Sequence, residues 1–384
     1  MFPRAASTKI CQLARKFPAV SLLGPRQSGK TTLARLAFPK KPYVSFENQD
    51  VLIQAQRDPR AFLERFRKGA IFDEVQRVPE LLSYLQGEVD ERPAPGRFVL
   101  TGSHNLLLLE KVTQTLAGRI GFMNLLPMSF EELRKTEYAD IDRDELIVNG
   151  GYPRLYNSRI RPTDFYPGYL LTYVERDVRQ IRNISDLARF QRFLRVCATR
   201  VGQVVNYSSI GNDCGIDQKT VLSWLGLLEA SFIAFRLQPY YRNLGKRLLQ
   251  MPRLYFYDTG LCCSLLEIAN SKHLAGHPLH GALFENFVVL ELMKDRLNRG
   301  LLPNFYYWKD RTGNEVDVII DRPVTPVPLE VKISSTFGPD FLKGIDYWNK
   351  INPGKRSYLV YSGPSGRIRN TRLTNWRDLS MVKN

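Results

Sequence analysis

The residues best equipped for chemistry are Gly24, Pro25, Arg26, Gln27, Ser28, Gly29, Lys30, Thr31 and Thr32, which follow directly on the apolar run Ala19–Leu23. This is a complete G-x-x-x-x-G-K-[ST] loop between a strand and a helix. Backbone N–H groups around its glycines cradle phosphate oxygens, and the helix N-terminus adds partial positive charge. Lys30 then reaches the terminal phosphates of ATP and the Thr31 hydroxyl ligates Mg2+. A second apolar run, Ala70-Ile71-Phe72, ends in Asp73-Glu74. At this separation from a phosphate loop, Asp73 suits the magnesium shell and Glu74 suits polarising the attacking water. Ser103 ends the strand-like run 97–103. The tips of parallel strands share one edge, so Ser103 is a candidate γ-phosphate sensor, with a helix cap as the plainer reading. Arg119 is a candidate arginine finger for a neighbouring subunit's nucleotide, against a surface ion pair.

A separate constellation lies near the C-terminus. After the helical stretch bearing Glu285 come strand patterns at 305–308, Glu315–Ile320 and 327–333, then a helix and a strand at Ser357–Tyr361. Strand alternation puts Glu330 and Lys332 on one face, which Asp317 shares if the two strands pair. Asp317 and Glu330 around one magnesium, with Lys332 beside them, is a phosphodiesterase's equipment. A charged E-x-K on an edge strand is more often a solvated face, but the element order and the D…E-x-K pattern are similar to the PD-(D/E)XK nuclease superfamily, with Glu285 as the helix-borne acid. The histidines His104, His273, His277 and His280 have no metal-ligand spacing with acids.

The elements between these two groups read as mostly helical. Residues 166–182 carry a basic stripe at Arg176, Arg179 and Arg182, and 187–201 form a further Arg-rich helix. Residues 207–215 and 216–225 read as helix, Gly turn, helix, followed by a β-rich run at 232–237. That order resembles a winged helix-turn-helix. Gln218, Lys219 and Ser223 would face a DNA groove while Val221, Leu222 and Leu225 pack inward. The wing would be the loop from Tyr241 to Met251, with Arg242, Lys246 and Arg247 for phosphates. Such modules also serve as protein-docking elements.

The segments GPRQSGKTTL, AIFDEVQRVPEL, FVLTGS and LAGRIGFMNLLPMSFEEL look like those of the AAA-family ATPases of bacteria and archaea that carry a characteristic C-terminal domain of unknown function. The resemblance implies an additional-strand catalytic-glutamate sheet and carries Lys30, Thr31, Asp73, Glu74, Ser103 and Arg119 into the roles above. The expected architecture is α/β: an AAA-like P-loop NTPase parallel sheet (1–128), a helical connector (129–184), a winged helix (185–262) and an α/β PD-(D/E)XK nuclease-like domain (263–384). With 384 residues the chain is long enough for two or three cores, and its net charge of +17 predicts an anionic partner, nucleic acid above a membrane surface. Five cysteines without C-x-x-C spacing argue against a disulfide frame or a zinc site and fit a reducing cytoplasm. No apolar run is long enough to span a bilayer, and no signal peptide is expected. The expected function is an ATPase acting on DNA with a magnesium-dependent nuclease-like domain. The alternative is a nucleotide-controlled binding regulator with a non-catalytic one. A homo-oligomer is expected if Arg119 acts between subunits.

Overall fold

The computed structural model describes residues 2–103, 116–174, 186–241, 251–354 and 356–382. Five short runs rich in aliphatic and aromatic residues form strands β1 (Ala19–Leu23), β2 (Tyr43–Ser45), β3 (Ala70–Asp73), β4 (Phe98–Gly102) and β5 (Ile120–Asn124). They make one sheet in the order β2-β3-β4-β1-β5, parallel throughout. A parallel sheet is covered on both faces, and β1, β3 and β4 are accordingly buried at every residue. β4 is inserted between the phosphate-loop strand and the Asp73 strand. Leu23 stands opposite Gly102, so the carboxyl ends of β1, β3 and β4 deliver the phosphate loop, Asp73-Glu74 and Ser103 to one edge.

The middle of the chain is helical, with one antiparallel pair, β6 (Ala234–Leu237) and β7 (Arg253–Phe256). Helices Tyr207–Cys214 and Gln218–Ala230 are separated by Gly215, whose φ of 67° ends the first of them in the left-handed conformation glycine adopts freely. The third sheet runs β12-β13-β11-β10-β9-β8, comprising β8 (Phe305–Lys309), β9 (Glu315–Ile320), β10 (Val327–Lys332), β11 (Ser357–Tyr361), β12 (Gly366–Ile368) and β13 (Thr371–Asn375). It is mixed: β8, β9 and β10 form an antiparallel meander, whereas β10, β11 and β13 are parallel.

The helix His280–Asn298 joins the layers, packing on β10 and on β5 of the first sheet. Its Glu291 accepts from the Phe130 amide (2.9 Å) and from Lys294 (3.0 Å), and Lys294 also donates to the Met128 carbonyl (2.8 Å). One contiguous apolar cluster runs from Ala19 to Val382.

Just after β7, the fully buried Asp258 caps the helix Thr259–Leu265. Its carboxylate accepts from the Leu261 amide (2.9 Å), the Gly151 amide (2.8 Å) and the Tyr166 hydroxyl (2.6 Å). Burial pushes its carboxyl up from the ordinary range. Asp258→Ala would strand two amides and reduce the bonding of a buried hydroxyl. The expected loss is about 3 kcal/mol, read as a lower urea midpoint at unchanged slope. Asp258→Asn, which keeps an acceptor, is expected to lose less.

Candidate functional sites

The phosphate loop bounds a cavity of about 680 Å³, within the size range of small-molecule sites. Gly24 has φ of +152°, and a Cβ there would come within 2.1 Å of the Leu125 carbonyl oxygen, so only glycine fits. Gln27 (φ 61°) adds another left-handed turn, and the helix Lys30–Ala37 starts immediately beyond. Such turns gather N–H groups towards an anion. Lys30 is almost wholly buried and donates from Nζ to the Gly24 (2.9 Å) and Pro25 (2.7 Å) carbonyls. Arg26 lies 3.7 Å from Glu47, and Thr32 lines the cavity beside Lys30 and Thr31.

Asp73 accepts hydrogen bonds from three hydroxyls: Thr31 (3.0 and 3.1 Å to its two oxygens), Tyr43 (2.6 Å) and Thr101. Burial, and then the Asp73 contact, push the Tyr43 phenol up to about 12. Glu74 follows in the left-handed region (φ 57°), a conformation that costs a non-glycine residue about 1 kcal/mol and is characteristic of functional positions. Its Oε2 accepts from Gln76 (2.6 Å) and from the Ser103 hydroxyl (3.2 Å), and Gln76 also donates to Ser103 (3.0 Å). The fold thus brings the loop, Asp73, Glu74 and Ser103 together. Arg119 is elsewhere. It precedes β5 beside Ala19, at the sheet edge opposite this chain's own phosphate loop, and its exposed guanidinium pairs with Asp90 (2.9 Å from Nη2 to Oδ2).

Three contributors are not evident from the motifs. Arg4 buckles the loop, donating to the Ser28 carbonyl (2.5 Å), the Leu126 carbonyl (2.7 Å) and Glu132 (3.0 Å). Gln76 braces Glu74. Arg154, in the helix Pro153–Asn157, lines the far wall of the cavity. Its one sequence signal is the proline at the first helical position after a Gly-Gly break.

The C-terminal constellation is also assembled. Glu285 projects from the helix His280–Asn298, Asp317 from β9, and Glu330 and Lys332 from β10. Asp317 accepts from the Val331 amide (2.9 Å), and Lys332 Nζ lies 2.9 Å from Glu330 and 3.8 Å from Asp317. Burial and then the Asp317 charge push Glu285 up to about 7, and the same two causes push Glu330 well above the carboxylate range. The sequence reading missed Arg253 of β7, whose guanidinium lies 3.3 Å from Glu285, 3.6 Å from Asp317 and 2.8 Å from Glu315. Tyr255, two residues on and so on the same strand face, donates to Glu285. That alternation of polar heads on an apolar strand was the available signal. Among the described residues, no three His, Cys, Asp or Glu side chains are grouped so as to hold a metal ion.

In the helix Gln218–Ala230, Gln218 and Lys219 are exposed and Ser223 is half-buried. Leu222, expected inside, is 44% exposed. The inward stripe runs through Val221, Trp224, Leu225 and Leu228, and Leu222 is one helical step off it. His104, Arg176, Arg179, Arg182, Arg242, Lys246 and Arg247 lie outside the described residues.

Residues 16–134 match the AAA domain family. With the parallel sheet, the phosphate loop and the Asp-Glu pair, this defines an ATP-binding, ATP-hydrolysing P-loop ATPase. Residues 140–272 and 280–376 match two domains of unknown function, DUF8612 and DUF4143. The uncharacterized proteins Rv2008c of Mycobacterium tuberculosis and Mb2031c of Mycobacterium bovis are each 30% identical to this chain over 338 residues, covering 87% of it and 74% of their own length. The chain belongs to the same family as these two proteins. Among solved structures, the Walker-type ATPase of Pyrococcus abyssi is similar with a TM-score of 0.48 and 18% identity, over 69% of this chain and 96% of that one. Among the described residues no helix is long and apolar enough to cross a membrane.

Proposed function

We propose that this ATPase works at DNA and that its C-terminal domain is a nuclease-like module of the PD-(D/E)XK kind, under the control of the nucleotide site. The observation that carries the reading is the convergence of Glu285, Asp317, Glu330 and Lys332, from one helix and two strands, on a single centre. The net charge of +17 supports a polyanionic partner. So does the helix-turn-helix followed by the β6–β7 pair, read as a winged helix with Lys219 on its exposed side and Arg242, Lys246 and Arg247 between the two strands in sequence. Domains at 1–128, 129–184, 185–262 and 263–384 accommodate these roles, and Arg119 is assigned to a subunit contact in a homo-oligomer. Free cysteines at all five positions fit a reducing, cytoplasmic setting.

At the nucleotide site the chain's own groups divide the work. The loop amides and Lys30 bind phosphate oxygens, Glu74 orients water, and Ser103 fixes Glu74 by donating to it directly while accepting from Gln76. The adjacent Thr31 hydroxyl and Asp73 carboxylate are hard oxygen donors that fit Mg2+. Magnesium held there would neutralise charge on the phosphates. The C-terminal carboxylates, as arranged, do not fit a divalent cation, because Arg253 and Lys332 already neutralise them. That observation favours a second reading, in which the nuclease-like domain only grips DNA or a partner protein.

The deciding experiment incubates the purified protein with labelled single- and double-stranded DNA, with and without magnesium and ATP. Magnesium-dependent cleavage that disappears in Asp317→Ala would carry the first reading. Salt-sensitive binding with ATP turnover and no cleavage under any condition would replace it with the second reading.

A further inference from the structure

Arg253 belongs by sequence to the middle of the chain, yet its charge is used in the C-terminal centre. It is 5% exposed, and its guanidinium sits over the Tyr307 ring, 4.9 Å from the ring centroid. It lies between Glu285 of the helix and Asp317 of β9, with Glu315 at the rim. Lys309 pairs with Glu315 (3.1 Å), and Lys332 pairs with Glu330 and Asp317. The described cluster therefore sets four carboxylates against three cations. Without Arg253, the buried Asp317 would keep only Lys332, 3.8 Å away, and Glu285 would have no ion pair among the described residues.

We propose that Arg253 is a captive cation that closes the carboxylate centre to divalent metal. This rests on the nuclease-like reading of the same centre. Guanidinium stays protonated throughout the physiological range, so the block does not titrate away. Removing the guanidinium alone leaves buried carboxyl groups that must either take up protons or find another cation. The buried Arg253 Nε lacks a hydrogen-bond partner among the described residues. A purely structural arginine would be expected to satisfy that donor.

The test measures manganese binding by calorimetry to full-length, nucleotide-free protein carrying Asp73→Asn, which removes the carboxylate that would hold magnesium at the other site. Arg253→Gln should bind Mn2+ at least ~10-fold more tightly than its parent, and adding Asp317→Asn should abolish the gain. Arg253→Lys, which keeps the charge, should stay close to the parent. Equal Asp317-dependent affinity in the parent and in Arg253→Gln overturns the proposal, as does a failure of Arg253→Gln to gain a site. If Arg253→Gln is less stable, its melting temperature still reports binding by mass action. Manganese should raise that temperature only while Asp317 is present, and no rise overturns the proposal. A gained metal site without DNA cleavage sustains the captive cation and removes the nuclease reading. Cleavage by the wild type with metal affinity equal to that of Arg253→Gln does the reverse.

Discussion

Replacing Lys30 with alanine lowers ATP turnover at least ~100-fold, the scale expected when a preorganised charge is removed from a developing anion. The ammonium is 5% exposed and rests on the carbonyls of Gly24 and Pro25. Phosphate oxygens offer it charge-assisted partners that are stronger than neutral carbonyls. Because Lys30 opens its helix and lies outside the apolar clusters, the sheet should survive the change, with thermal unfolding shifted little. Steady-state phosphate release measures the effect. Turnover equal to wild type would remove the P-loop from the chemistry. Lys30→Arg should not rescue, since a planar fork cannot take the place of a compact ammonium between two carbonyls.

Glu74→Gln separates binding from hydrolysis. Glutamine keeps the shape and can still accept from Gln76 and Ser103, but it cannot take a proton from water. General-base contributions of ~10²–10⁴-fold set the expected fall in kcat, with ATP binding little changed because the carboxylate makes no contact with the phosphate loop among the hydrogen bonds described. The pair of measurements is equilibrium ATP binding and single-turnover phosphate release. A variant that hydrolyses within about threefold of wild type would assign the base to another residue.

The sequence disclosed most where function and fold are local. β1, β9 and β11 have the bounds their apolar runs imply, and the phosphate loop is contiguous, so its geometry follows from its glycines. The helix Gln49–Arg57 went unread because it buries only Ala55 fully and so carries no continuous apolar stripe; what starts it is the Asn48 cap on the Asp50 and Val51 amides. β12 is a short edge strand with no buried residue and gives no pattern at all. Glu285, Asp317, Glu330 and Lys332 were legible as types in an element order, but Arg253 was not, because an arginine at a strand start looks solvated until the sheet below it is known. Arg4 and Arg154 were hidden in the same way: each reaches the nucleotide cavity from a segment whose docking is decided by packing.

β7 has a consequence that neither site shows alone. Arg253 stands at its start and Asp258 two residues past its end, a span of about 17 Å of extended chain at ~3.3 Å per residue. Asp258 grips Gly151, which leads into the helix that puts Arg154 on the wall of the nucleotide cavity, while Arg253 grips Glu285 and Asp317. One strand is therefore pinned to both centres. Thermodynamic linkage then runs in both directions. Whatever factor ATP imposes on the carboxylates' affinity for a cation, a cation held there must impose on the affinity for ATP.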